Sequence, residues 1–137
     1  MSKKVEKCVF ILSDKLPLGL ALNCTALLGS SLGAHYPELI GDDYKDADDV
    51  FHLGLLSLPI VILKANEGEL IQIRHNALEL EKTKCIDLTN VSQEAMKYND
   101  LIQRASKTRF SAFKYIAVSL FGDSGEIEDL TKNLKLY

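Results

Sequence analysis

Two hydrophobic periods take turns along this chain, and the switches between them mark out its elements. Residues 8–12, Cys-Val-Phe-Ile-Leu, are apolar at every position, which reads as a strand buried on both faces. Residues 16–32 then carry no charge, and their few polar side chains are small: Asn23, Cys24, Thr25, Ser30 and Ser31. This stretch predicts a helix to about Gly29, with Pro17 in its first turn and Gly29 or Gly33 as a left-handed cap. So uncharged a helix is hidden on most sides, between a sheet and something else, often a second subunit. Residues 60–63, Ile-Val-Ile-Leu, repeat the pattern of a strand apolar on both faces. Asn66 and Glu69 have the spacing of a reciprocal helix cap, and Leu70, Ile73, Ala77 and Leu80 follow at helical spacing. Residues 85–88 predict a third strand, residues 89–92 a loop and residues 93–107 a helix. Residues 113–121 predict the strongest strand, with Phe113, Tyr115, Ala117, Ser119 and Phe121 on one face and Ile116, Val118 and Leu120 on the other. Asp123 and Glu126 have the capping spacing for a last short helix that turns Ile127, Leu130 and Leu134 inward.

Strand and helix thus alternate four times. The alternation predicts one α/β domain over residues 1–137, a three-layer α/β/α arrangement around a mixed, mainly parallel sheet of about four strands. Residues 35–41 form a connector around Pro37. Residues 42–49 are acidic and loop-like, and residues 50–56 hold at most a short edge strand that Gly54 weakens.

Composition narrows the function classes. With 137 residues, 47% hydrophobic and 26% charged, the chain can build one ordinary core. A net charge of −3 works against non-specific nucleic-acid binding, which needs surplus Lys and Arg. Lys97, Arg104, Lys107, Arg109 and Lys114 leave only a local phosphate contact open, so nucleic acid is possible but not favoured. The three cysteines, Cys8, Cys24 and Cys85, are scattered and form no Cys-x-x-Cys pair; they read as buried thiols in a reducing compartment. The charged start lacks the apolar segment of a signal peptide. Residues 16–32 are too short and too interrupted by Gly and Asn to cross a bilayer. The expectation is a cytoplasmic protein with no membrane partner. The acidic segment lacks the glycine and terminal glutamate of a calcium loop, and His35, His52 and His75 are not at ligand spacing, so no metal or other cofactor is expected.

Residues 16–26, Leu-Pro-Leu-Gly-Leu-Ala-Leu-Asn-Cys-Thr-Ala, after an apolar strand, resemble the opening of type II peptidyl-tRNA hydrolases. Closer still is a family of small bacterial domains of unknown function that shares that fold. It has a strand like residues 59–64, a Tyr-containing segment like residues 96–98 and an end like residues 116–122 and 130–134. The resemblance spans nearly the whole chain and implies the hydrolase architecture. It does not carry over the hydrolase residues. With Asn23 and Cys24 on the hydrolases' Gln-Cys, Gly19 stands at their lysine and Ala26 at their histidine. With Ser92 and Gln93 on their Thr-Gln, Leu88 stands at their aspartate. Asp87 is adjacent and faces the other way if the strand continues.

In open α/β sheets, ligands collect beyond the carboxyl ends of strands. The turns after the first and third strands would meet there in one shared concavity. Candidate ligand-binding residues are therefore Asp14, Lys15, Asn23, Thr89, Ser92 and Gln93. Asp14 and Lys15 can form a polarised pair, or Lys15 can hold an anion near the helix start. Asn23, inside an apolar helix, is expected to be a buried amide that needs partners. The resulting expectation is a homodimeric domain that binds a small ligand or a protein and lacks most hydrolase catalytic residues. Two alternatives stay open. One is an active hydrolase-like esterase with Lys15, Asp14 and Ser92 as stand-ins. The other is a homo-oligomeric interaction module whose first helix is the contact surface.

Overall fold

The computed structural model describes residues 6–137; the first five residues of the charged start lie outside them. The described chain is α/β, with a five-stranded mixed sheet. Strand β1 (Glu6–Ser13) leads into helix α1 (Leu18–His35). Two-residue strands β2 (Tyr44–Lys45) and β3 (Phe51–His52) form a separate hairpin. Strand β4 (Ile60–Ala65) precedes helix α2 (Glu67–Ala77), and strand β5 (Thr83–Thr89) runs straight into helix α3 (Asn90–Glu94). Helix α4 (Tyr98–Ser106), strand β6 (Tyr115–Asp123), helix α5 (Ser124–Thr131) and the short strand β7 (Lys135–Leu136) complete the chain.

The strand order is β5-β6-β1-β4-β7. Only β1 and β4 pair in parallel; β1–β6, β5–β6 and β4–β7 are antiparallel. The mixed sheet matches the sequence reading, but "mainly parallel" does not, because β6 runs back between β1 and β5. The reason lies in the connection. The predicted third crossover helix is replaced by an excursion, α3–α4, which leaves and re-enters the sheet at one rim. Its neck is pinched where the Asn90 N–H donates to Lys114 O at 2.9 Å and the Lys114 N–H donates to Asn90 Oδ1 at 3.0 Å. The fifth strand, β7, was beyond reach of periodicity at two residues.

The layers follow from alternation along β1. Cys8, Phe10 and Leu12 pack under α1, against Ala21, Cys24, Leu28 and Leu32. Val9 and Ile11 face the opposite layer, where α2 contributes Leu70, Ile73 and Ala77 and α5 contributes Ile127. The inner residues of α1 recur three and four apart, which is the stripe a sheet-covering helix needs. This helix runs through both Gly29 and Gly33 and stops at Tyr36, before Pro37, whose ring disfavours helix at the preceding residue. The expected glycine cap is therefore not used.

Other local signals hold. Asn66 accepts from the Glu69 N–H at 2.8 Å while the Asn66 N–H donates to Glu69 Oε1 at 3.0 Å. Asp123 caps α5 by accepting from the Glu126 N–H at 3.0 Å. The Glu126 carboxylate does not return the bond to Asp123. It accepts instead from Thr83 Oγ1 at 2.6 Å and from the Lys82 N–H at 3.4 Å, latching α5 to the start of β5. In the acidic segment, Asp46 Oδ1 accepts from the Asp48 and Val50 N–H groups, and Asp46 Oδ2 meets His52 Nε2 at 2.9 Å. These bonds spend the carboxylate on the hairpin turn and depress its pKa, His52 first and the two backbone N–H groups after it.

Candidate functional site

The carboxyl ends of β1, β4 and β5 lie at one rim, because β6 is antiparallel to both β1 and β5. Asp14 and Ser92 therefore sit at the same rim, but not in the same concavity. In strand order β6 separates β5 from β1, so the two turns stand about 10 Å apart, two strand spacings. Asp14 borders a hollow shared with Lys64, Asn66 and Glu69 near α2. Its N–H is tied to Ala65 O at 2.9 Å. The Lys15 N–H donates to Ser13 Oγ at 3.3 Å, and the side chain is exposed. Among the described residues Asp14 and Lys15 make no ion pair, so the expected polarised pair does not form.

Asn23, Ser92 and Gln93 do converge. They border a hollow of about 350 Å³ walled by Leu20, Cys24, Leu27, Leu88 and Ile116. Asn23 was expected to be buried; it is exposed and lines this hollow, because the stripe Ala21, Cys24, Leu28 that meets the sheet leaves position 23 on the flank. Helix α1 supplies one wall at the spacing 20, 23, 24, 27, a single helical face. Leu88 of β5, Ser92 and Gln93 of α3 and Ile116 of β6 build the other, and Thr89 holds Ser92 in place. The Thr89 side chain accepts from the Ser92 N–H at 3.2 Å, and the Ser92 hydroxyl accepts from the Thr89 N–H at 2.9 Å. The Ser92 hydroxyl also donates to Thr89 O at 2.7 Å. What looked like a loop over residues 89–92 is thus the last residue of a strand joined to a capped helix. Ser92 is consumed by that cap. The Asn23 and Gln93 amides have no hydrogen-bond partner among the described residues and remain available to a ligand.

Thr89 itself faces away from this hollow. Along β5, Leu88 points toward α1, whereas Asp87 and Thr89 border a smaller hollow on the α2 side. The strand does continue past Asp87, so that carboxylate takes the face opposite Leu88, as strand alternation requires. A β-bulge sets the arrangement. Leu88 pairs with Ala117, but Thr89 pairs with Tyr115, leaving Ile116 as the extra residue. The bulge turns Ile116 into the larger hollow and Tyr115 to the α2 side, not onto the Ala117 face that strict alternation predicts. Bulges commonly re-aim side chains in this way.

The larger hollow is apolar in body and neutral at its edge. Cys24 belongs to its wall, and burial pushes that thiol's pKa up, which keeps it protonated and a poor nucleophile at neutral pH. Leu20, Leu27 and Ile116 were not among the sequence candidates. The one signal that could have found them is the helical spacing from Asn23; nothing local marks the bulge at Ile116.

The family model described as "Protein of unknown function (DUF2000)" matches residues 6–137. Among solved structures, a protein of unknown function from Agrobacterium tumefaciens strain C58 is similar, with a TM-score of 0.86 and 26% sequence identity. The match covers 96% of this chain and 97% of that one. No curated protein matches. Among the described residues, no helix is long and apolar enough to cross a membrane.

Proposed function

Because the chain belongs to DUF2000, a family of proteins of unknown function, its role has to be argued from geometry, and we propose that it is a ligand-binding domain without hydrolase chemistry. On this reading the architecture is that of the type II peptidyl-tRNA hydrolases, with the reacting groups replaced. Gly19, Ala26 and Leu88 occupy the positions that correspond to the hydrolases' lysine, histidine and aspartate. None of the three can transfer a proton or hold an oxyanion. The observation that carries the proposal is the pairing of two unengaged amides, Asn23 and Gln93, with the apolar wall of Leu20, Leu27, Leu88 and Ile116. Such a lining suits an uncharged molecule with an apolar body and an amide-like edge.

N-acetylleucinamide is a suitable probe, followed by backbone-amide NMR shifts. The expected shifts cluster at Asn23, Cys24, Leu88 and Gln93. Replacing Asn23 with Leu should weaken binding by roughly 3- to 10-fold, the value of one neutral hydrogen bond. Shifts elsewhere, or none at millimolar probe, overturn the assignment. Release of peptide from peptidyl-tRNA by the purified protein would overturn the absence of hydrolase chemistry.

A second reading rests on the outer side of α1. Leu18 is 69% exposed and Leu22 60% exposed on a helix without one charged residue. This favours self-association through α1, in keeping with the expected homodimer. Light scattering checks it: the wild type should change mass with concentration and a Leu22→Glu variant should stay monomeric. A wild type that is monomeric throughout sinks this reading and leaves the first intact.

A further inference from the structure

The smaller hollow on the α2 side has a chemistry of its own. It measures about 140 Å³ and is bordered by Arg74, Asp87, Thr89, Phe110, Phe113 and Tyr115, a size at which a protein cavity can hold one six-membered ring. Arg74 reaches across from α2, and its Nε donates to Asp87 Oδ2 at 2.8 Å. Phe110, from the turn that ends the α3–α4 excursion, leans over the guanidinium with 5.6 Å between Arg74 Cζ and the ring centroid. The His75 ring stacks on Phe110 at 4.7 Å.

The distribution of donors and acceptors in this hollow is lopsided. Tyr115 is 4% exposed and Thr89 is 6% exposed. Among the described residues the Tyr115 hydroxyl has no hydrogen-bond partner. The Thr89 hydroxyl accepts from the Ser92 N–H and donates to none of the described residues. The guanidinium uses Nε on Asp87, and its two terminal nitrogens are unengaged among the described residues. The lining thus offers four donor atoms from three side chains, the two terminal nitrogens of Arg74 and the hydroxyls of Tyr115 and Thr89, and the carboxylate among them, Asp87, already holds the guanidinium.

We propose that this hollow binds the carboxylate of a small organic acid, no larger than benzoate, with the terminal nitrogens of Arg74 and the hydroxyls of Tyr115 and Thr89 as its donors. The planar guanidinium fork matches a carboxylate in two parallel bonds. Phe110 and Phe113 wall the apolar end of the acid. Asp87 is a positioning residue: it orients the fork through Nε. It also offsets the arginine's charge, which favours a monoanion over a phosphate dianion. Tyr115 reaches the hollow only because of the bulge at Ile116. The site is separate from the amide-lined hollow, on the other face of β5, and stands or falls independently of it.

The test is a calorimetric titration of the full chain with benzoate, with benzamide as the uncharged isostere and inorganic phosphate as the dianion. Benzoate is expected to bind at least about tenfold tighter than benzamide, the margin of a charge-assisted contact, and phosphate should bind more weakly than benzoate. Arg74→Lys keeps the charge but loses the fork, and should weaken benzoate at least about fivefold and benzamide by less. Tyr115→Phe keeps the ring and should also weaken benzoate selectively. Circular dichroism of both variants establishes that they are folded. Equal binding of benzoate and benzamide, phosphate binding above benzoate, or no benzoate heat at millimolar concentration would each overturn the proposal.

Discussion

The same substitution, Gly→Ala, should have opposite effects at Gly122 and Gly29. Gly122 lies in the middle of three strands, paired with Lys7 of β1 and Thr83 of β5, at a φ of +144°. An L-residue there is strained by about 1–3 kcal/mol. Space is a separate obstacle: an added Cβ would sit 2.2 Å from Lys82 O and 2.8 Å from Thr83 Cα. Both are backbone, so no side chain can rotate away. The Lys82 carbonyl is also held in place, since it accepts from the Asp123 N–H at 3.1 Å. Moving it would loosen the Glu126 latch on Thr83. Overpacking of this kind adds about 1–3 kcal/mol, so the two together cost about 2–6 kcal/mol, a large part of a domain's total of about 5–15 kcal/mol. Gly29 differs on both counts. It lies inside α1, and an added Cβ meets nothing within 4 Å. Ala there should stabilise by about 0.5–1 kcal/mol through helix propensity and a less free unfolded chain. Urea unfolding followed by circular dichroism measures both. If Gly122→Ala lies within 1 kcal/mol of wild type at unchanged m-value, or if Gly29→Ala is the more damaging of the two, the packing argument is wrong.

Three further outcomes are expected. Leu28→Ala, at a fully buried position between α1 and the sheet, should cost about 3–4 kcal/mol in the same urea assay. Asp87→Asn leaves the half-buried Arg74 guanidinium without its counter-ion and should cost about 2 kcal/mol at neutral pH; an Asp87→Asn variant as stable as wild type would show that the pair is immaterial. Burial raises the Cys8 thiol from 9.0 to about 11, against the smaller opposing effect of the Ser119 hydroxyl. The folded state thus holds this proton more tightly than the unfolded one. Its contribution is complete below pH 9 and is lost as pH climbs through about 11, on the order of 2 kcal/mol. Cys8→Ala should flatten the stability–pH profile between pH 9 and 11, and an unchanged slope would remove Cys8 as its source.

What the sequence could say depends on how many residues repeat the same statement. The five consecutive apolar residues of β1, the 70, 73, 77 spacing of α2 and the Asn66–Glu69 cap each rest on more than one position, and each is found in place. The layering around the sheet follows from them. Strand direction has no such redundancy. Whether a segment between two strands is a crossover or an excursion depends on where the chain re-enters the sheet, here between β5 and β1 with the neck closed by two hydrogen bonds between Asn90 and Lys114. The bulge is a still smaller event, one residue of mismatch between Leu88 and Thr89. Neither Ile116 nor its neighbours differ in type from ordinary strand residues, so the alternation rule puts Tyr115 on the wrong face and hides the smaller hollow. That hollow nevertheless left a trace. Asp87 interrupts an apolar strand, and Arg74 flanks the inner face of α2 at four residues from Leu70. Either charge alone would be expensive at such a place, and each is tolerable only with a partner. Two such misfits of opposite sign in one chain point to each other before any coordinate is known. What they could not reveal is the donor surplus around them, because that arises from the bulge that turns Tyr115 toward their side.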